Sequence, residues 1–230
     1  MPSQDLALRL QQRLADTVPG AELAPTTLPL APELSLWLLT EDYPRGPLPP
    51  EVIAAVTAHP AYWAFCWAAG QALAARLLAE PERVRGRTVL DFGAGSGVAG
   101  IAAARAGAAR VVACDLDGDA RLACEANAAL NGVKLELADD LASVGHFDLA
   151  LVADVLYDRD NLPLLDALAD HCDEVLLADA RVRPEVLTDW ESFAECDALT
   201  LPDLEESKLY RTVRFYRRRG APRPEEACLP

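Results

Sequence analysis

Lysine is nearly missing from this chain. Among 230 residues there are two, Lys134 and Lys208, beside nineteen arginines and thirty-six acids, for a formal net charge of −15. Such a balance weighs against nucleic acid as the main partner, because a phosphate backbone needs a basic footprint. Basic character is confined to the stretch from Arg211 to Arg219. Six cysteines, at positions 66, 114, 124, 172, 196 and 228, form no C-x-x-C and no paired spacing. They read as reduced thiols rather than a disulfide frame. The three histidines lie far apart, so no metal site is suggested. No apolar run reaches the length needed to span a bilayer, and no membrane association is expected. The first residues lack a charged-then-apolar signal pattern, and their acids argue against a transit peptide. The expectation is a cytoplasmic protein.

What the chain does have is a glycine turn between a strand and a helix. Thr88 to Phe92 is apolar and β-favouring, and Gly93 ends it. From Val98 to about Arg105 the pattern is alanine-rich and helical, with Gly107 just past the end. Gly93, Gly95 and Gly97 lie between them, where positive φ and close backbone approach by a ligand are permitted. The first amides of the helix have no intrahelical partner and point into the same crevice. Spacing narrows the ligand. A dinucleotide fingerprint needs G-x-G-x-x-G/A, and counting from Gly93 the last position falls on Val98. A P-loop needs a lysine after the glycines, and none is present.

The rest of the chain alternates. Asp5–Thr17 reads as a helix, 19–32 as extended, Glu33–Leu39 as a strand and Glu51–Ala58 as a short helix. Glu41–Pro50 is a proline-rich loop. An aromatic cluster, Tyr62, Trp63, Phe65 and Trp67, precedes a helix running to about Leu78. In a chain only 6% aromatic it is either a cover over one end of the sheet or a wall of the ligand pocket. Arg110–Cys114 is the second core strand, followed by Asp115, whose carboxylate is placed to accept ribose hydroxyls. Asp117 and Asp119 suit capping of a helix over 120–130. Lys134–Ala138 is the third strand, followed by Asp139 and Asp140. Asp140 is the preferred partner of an adenine amine. The fourth strand lies within 146–153 and ends at Asp154. Asp160 or Asn161 caps a helix to Asp170, and Glu174–Ala178 is the fifth strand. Pro184 opens a helix to about Cys196. Ala198–Leu201 is a sixth strand and Tyr210–Arg217 a seventh. The pattern predicts an α/β fold with a seven-stranded, doubly wound, mostly parallel sheet ending in a hairpin. Residues 1–80 would form an extension, 81–219 the core and 220–230 a disordered tail.

Asp91-Phe92-Gly93-Ala94-Gly95-Ser96-Gly97 resembles motif I of the class I S-adenosylmethionine-dependent methyltransferases, whose core is Rossmann-like. Within that class the chain is similar to lysine-directed protein methyltransferases that carry D-x-x-Y/F after the fourth strand, here Asp154 and Tyr157. It most resembles the electron-transfer flavoprotein β-subunit lysine methyltransferases and their bacterial relatives. Further residues carrying the likeness are Pro32–Leu36, Tyr62–Trp67 with Gly70–Leu73, Ala113–Asp117, Asn127–Gly132, Leu204–Glu205 and Arg211–Thr212. It spans roughly 30–217. The chain departs from the group at Ala68-Ala69, where Pro-Gly is expected, and at Gly118, where proline is common. The resemblance implies S-adenosyl-L-methionine as cofactor, bound by Trp67, Asp91, Gly93, Ala94, Gly95, Gly97, Asp115, Leu116 and Asp140. Asp91 would face the methionine ammonium and repel a phosphate. It implies a lysine-bearing protein as acceptor, with the flavoprotein β-subunit as first candidate. The alanine, leucine and arginine load fits a GC-rich bacterial genome.

Asp154 and Tyr157 have a chemical rationale of their own. They lie at the carboxyl end of the fourth strand, beside the switch point where open α/β sheets bind ligands. A carboxylate there captures and aims an ammonium, and a tyrosine ring or hydroxyl faces the same cation. These two are the candidate catalytic residues. The alternatives are methylation of a small amine or of another protein nitrogen, including a ribosomal-protein target, and a catalytically silent binding module on the same fold.

Overall fold

The structure is a computed structural model that describes residues 2–43, 49–207 and 210–220. Part of the 41–50 loop and nearly all of the tail expected over 220–230 lie outside the described residues. Helix α1 (Pro2–Thr17) is followed by a hairpin, β1 (Leu23–Leu28) and β2 (Ala31–Leu39). Then come α2 (Pro50–Ala58) and α3 (Ala68–Ala79). The central unit is β3 (Thr88–Phe92), α4 (Val98–Arg105), β4 (Arg110–Cys114), α5 (Gly118–Leu130) and β5 (Glu136–Ala138). It continues with β6 (Leu149–Ala153), α6 (Leu162–His171), β7 (Glu174–Asp179), β8 (Glu191–Asp197) and β9 (Thr212–Arg219).

Seven strands form one sheet in the order β5-β4-β3-β6-β7-β9-β8. The first five are parallel, and β9 runs antiparallel to both β7 and β8. Strands buried on both faces need apolar residues along their length, and β6 and the Val175–Ala178 stretch of β7 obey this. Leu149, Leu151, Leu176 and Ala178 enter the core under α3, α4 and the β1–β2 hairpin. Ala150, Val152, Val175 and Leu177 enter the opposite core with Leu165 and Leu168 of α6. The first core runs across residue 80 without a break, joining Leu34, Leu36 and Leu73 to Val89 and Ile101. The parallel order reverses between β3 and β6, which puts the carboxyl ends of β3, β4 and β6 around one crevice.

Two expectations fail at the carboxyl-terminal end. The helix expected from Pro184 to Cys196 is only a short 3-10 turn, Pro184–Val186, and the segment then becomes strand β8. The strand expected at Ala198–Leu201 is a loop. Leu201 makes an isolated antiparallel bridge with Cys66, through N–H···O bonds of 2.8 Å in each direction. The cause is a bulge between Ser192 and Ala194, which breaks the period-two pattern that announces a strand. Pairing with β9 overrides local preference, reinforced by the two-pronged contact of Arg217 with Glu191 at 2.8 Å per bond.

Candidate functional site

The floor of the crevice is the turn from Phe92 to Val98. Gly93 and Gly97 have φ of +65° and +78°. A Cβ at Gly93 would stand 2.6 Å from Val155 Cγ1, and one at Gly97 would crowd Cys124 at 3.0–3.2 Å. Glycine at both positions therefore lets the turn lie down on the segment that follows β6 and on α5. Gly93 N–H and Ala94 N–H both donate to Cys114 O, which ties the turn to the end of β4.

Asp115 stands where the sequence places it. Its Oδ2 accepts from Gly95 N–H at 2.8 Å and its Oδ1 from Asp117 N–H at 3.0 Å. Burial raises its pKa, opposed by those two amides. Arg121 holds the carbonyls of Asp115 and Leu116 at 2.6 and 3.0 Å, so the loop is fixed from behind. Leu116 is 85% exposed, an apolar side chain offered to solvent beside the acid. Asp117 caps α5 by accepting from Asp119 N–H. Asp140 follows β5 and is exposed, but one oxygen already caps the 3-10 turn Leu141–Ser143. A base amine would share that carboxylate with Ala142 N–H.

Asp91 differs from the expectation. It is 3% exposed, and its Oδ2 accepts from Gly100 N–H at 2.8 Å, in the first turn of α4. Burial lifts its pKa to about 7, with Asp115 adding to the rise. The carboxyl group braces the glycine turn from below rather than lining an open face.

The opposite wall is aromatic. Tyr62 lies 5.5 Å from Tyr157 and 5.9 Å from Trp67, and Phe65 lies 5.5 Å from Trp67, between ring centroids. Trp67 Nε1 donates to Tyr62 O at 3.0 Å, which fixes the indole. Tyr157 is 60% exposed, and its pKa is raised by burial first and then by Tyr62, Asp115 and Asp158.

Asp154 sits between the two walls, with a left-handed backbone (φ 53°, ψ 25°) unusual for a residue with a side chain. Such strain persists where the surroundings over-determine it, often at functional sites. Its carboxyl is buried. Oδ2 accepts from Ala69 N–H at 2.8 Å, and Oδ1 lies 3.7 Å from Arg181 Nη1. Burial, then Asp179, raise its pKa to about 7, against the pull of Ala69 N–H and Arg181. Asp154 is therefore no bare carboxylate awaiting a cation, but the hub of a network. The Ala68-Ala69 departure does no harm to it, because the contact is made by a main-chain N–H.

Sequence reasoning missed the other members of this network. Asp179 ends β7 and accepts from Arg181 N–H and Val182 N–H, both at 2.6 Å. Its position as an acid at the carboxyl end of a parallel strand was an available signal. Arg181 and Glu206 form a short ion pair, and Thr200 donates to the other oxygen of Glu206 at 2.6 Å. No spacing could have announced that pairing across twenty-five residues. Two amides brace the site from outside. Asn127 Nδ2 donates to Ser96 O at 2.9 Å while its Oδ1 accepts from Trp37 N–H at 2.7 Å, locking the glycine turn to β2. Gln71 Oε1 accepts from Leu30 N–H and its Nε2 donates to Leu199 O, both at 2.9 Å.

Taken together, the crevice offers glycine amides, an acid suited to a diol and an aromatic wall. Residues 72–181 match a family model described as ribosomal protein L11 methyltransferase (PrmA). The electron transfer flavoprotein beta subunit lysine methyltransferase of Rattus norvegicus is 39% identical over 115 residues, which are 48% of this chain and 45% of that protein. Its Xenopus laevis counterpart is 38% identical over 163 residues, 67% of this chain and 65% of that one. The chain thus spans less than two thirds of the length of these curated relatives. A solved ribosomal protein L11 methylase from Lactobacillus delbrueckii subsp. bulgaricus superposes with a TM-score of 0.50 at 28% identity, covering 66% of this chain and 79% of that one.

Proposed function

We propose that this chain, which has the class I S-adenosylmethionine-dependent methyltransferase fold, binds that cofactor and methylates lysine ε-amines of a protein. The observation that carries the reading is the position of Asp154 and Tyr157. They stand at the carboxyl end of β6, on the rim of the glycine crevice, with the aromatic wall beside them. The similarity to proteins named as lysine methyltransferases of the electron transfer flavoprotein β-subunit makes that subunit the first acceptor to try. A ribosomal-protein nitrogen is the second reading, favoured by the family model over 72–181. A cytoplasmic and bacterial setting accords with the free thiols among the described residues and with the scarcity of lysine.

The fit to the cofactor rests on the residues present. Gly93, Ala94, Gly95 and Gly97 would hold its amino-acid end, Asp115 its ribose hydroxyls, and Leu116 and Asp140 its base. Trp67 would close the wall. When bound, the cofactor supplies a methyl group activated by its sulfonium. The chain's own residues then have two tasks. The first is to aim the ε-nitrogen in line, and most of the available rate enhancement lies in that positioning. The second is to admit a cation and let it lose a proton. A free lysine costs about 4–5 kcal/mol to deprotonate at pH 7. An arriving ammonium favours the charged form of Asp154, which is poised near neutrality in the free protein. Asp154 is thus a group that captures and orients, and the proton leaves to water.

Incubation of the protein with radiolabelled S-adenosylmethionine in lysate of a strain lacking it tests the reading. A labelled protein band whose label sits on lysine supports it. Label confined to nucleic acid or to small amines refutes the acceptor class.

A further inference from the structure

The guanidinium of Arg181 is held as a cation would be in a purpose-built cage. Nη2 pairs with Glu206 Oε1, and Nη1 lies 3.7 Å from Asp154 Oδ1. The ring centroids of Trp67 and Tyr210 lie 5.8 and 5.1 Å from its central carbon. Each carboxylate has its other oxygen satisfied by a neutral donor, Ala69 N–H for Asp154 and Thr200 Oγ1 for Glu206. The remaining oxygens are turned towards the cation. Two carboxylate oxygens and two aromatic faces are also what an alkylammonium ion needs. The contact with Asp154 is the loose one, being too long for a hydrogen bond. The Arg181 side chain is 26% exposed, against 6% for Asp154, so the occupant is reachable from solvent and the anion behind it is not. Asp179 adds a third acid on the same side and spends Oδ1 on main-chain amides.

We infer that Arg181 is a placeholder in the acceptor's ammonium pocket, which Asp154, Glu206, Trp67 and Tyr210 form, and that an incoming lysine displaces it from Asp154. The inference rests on the lysine acceptor proposed above and makes Arg181 a specificity residue for it. While the guanidinium stays, Asp154 has a partner and the pocket admits only a cation strong enough to replace it. Neutral hydroxyls and amides gain nothing by displacing a charge. The short bond to Glu206 gives Arg181 a place to remain when it leaves Asp154, so displacement needs a side-chain shift and not an unfolding.

Thermal unfolding with n-butylammonium, a mimic of the lysine side chain, tests this without acceptor or cofactor. Arg181→Met should unfold at a lower temperature than the parent and regain stability saturably as n-butylammonium is added. The parent should respond far less, and Arg181→Met combined with Asp154→Asn should lose the response. In transfer assays the acceptor KM of Arg181→Met should fall roughly tenfold if the placeholder occupies the site in about nine molecules of ten. Arg181→Lys, which keeps a cation, should stay near the parent. If Arg181→Met does not fold, Arg181→Gln, which retains a donor for Glu206, serves in its place. A folded variant with no saturable response, or a response equal to the parent's, overturns the placeholder. Because the stability assay uses no acceptor, that outcome is separate from a failure of lysine methylation. Lysine methylation with an unchanged response would discard the pocket and keep the function.

Discussion

Burial removes the water that would stabilise the charge of Asp91 and pushes its pKa up to about 7. An unfolded aspartate titrates near 3.8. Between these values the unfolded chain has lost a proton that the folded one keeps, so stability falls as pH rises from about 4 to about 7 and is level above. For Asp91 the loss is at most ~4 kcal/mol, at 1.36 per pH unit. Asp91→Asn keeps an oxygen for Gly100 N–H and cannot ionise. Urea unfolding should find it more stable than the parent at pH 8 and no more stable at pH 4. An equal effect at both pH values would show that ionisation of Asp91 is not the cause. Asp115→Ala should weaken S-adenosylhomocysteine binding by roughly 1.5–3 kcal/mol in calorimetry, the scale of hydrogen bonds to a charged group. Unchanged binding in a folded variant would move the ribose elsewhere. Asp154→Asn should lower methyl transfer about a hundredfold or more if ~3 kcal/mol of acceptor interaction is lost, with far less effect on cofactor affinity. Much of this site was legible before the fold. Gly93, Asp115, Asp154 and Tyr157 announce themselves by type at strand ends. The direction in which Asp91 faces was not, because a motif carries no burial.

At the scale of elements, β3, α4 and β4 have the boundaries that the sequence implies, since buried apolar strands and a glycine-bounded helix leave little choice. The hairpin β1–β2 is different. Residues 19–32 read only as extended, and beside the burial of Leu34, Leu36 and Leu38, Asn127 of α5 and Asn131 at its C-cap tie the hairpin to the core. Asn131 accepts from Ser35 N–H at 3.1 Å and donates to Ser35 O at 2.6 Å. Such anchors cross some ninety residues and leave no local pattern. Asn127→Ala would orphan the buried Ser96 O, at about 1–3 kcal/mol, and the part-buried Trp37 N–H at a smaller cost. The variant should unfold at lower denaturant and bind S-adenosylhomocysteine more weakly, because one bond belongs to the hairpin and the other to the glycine turn. A loss of stability without any loss of binding would uncouple the two. β8 was misread for the opposite reason. Its alternation is real but interrupted at Phe193 by the bulge, and Phe193 packs on Phe215 beneath the guanidinium of Arg76.

The molecule as a whole is strongly acidic, with a net charge of −15. A lysine set in a basic patch would be steered towards it, and steering weakens as the Debye length contracts from about 30 Å at 0.01 M salt to about 10 Å at 0.1 M. The acceptor kcat/KM should fall over that range while the cofactor constant stays nearly flat. The central claim, lysine methylation at the Asp154 rim, is tested most directly by mass spectrometry. The purified electron transfer flavoprotein β-subunit would be incubated with S-adenosylmethionine and either the parent protein or Asp154→Asn. The account predicts mass increments of whole methyl groups on lysine with the parent and nearly none with Asp154→Asn. Equal modification by both proteins, or methylation found only on residues other than lysine, would contradict it.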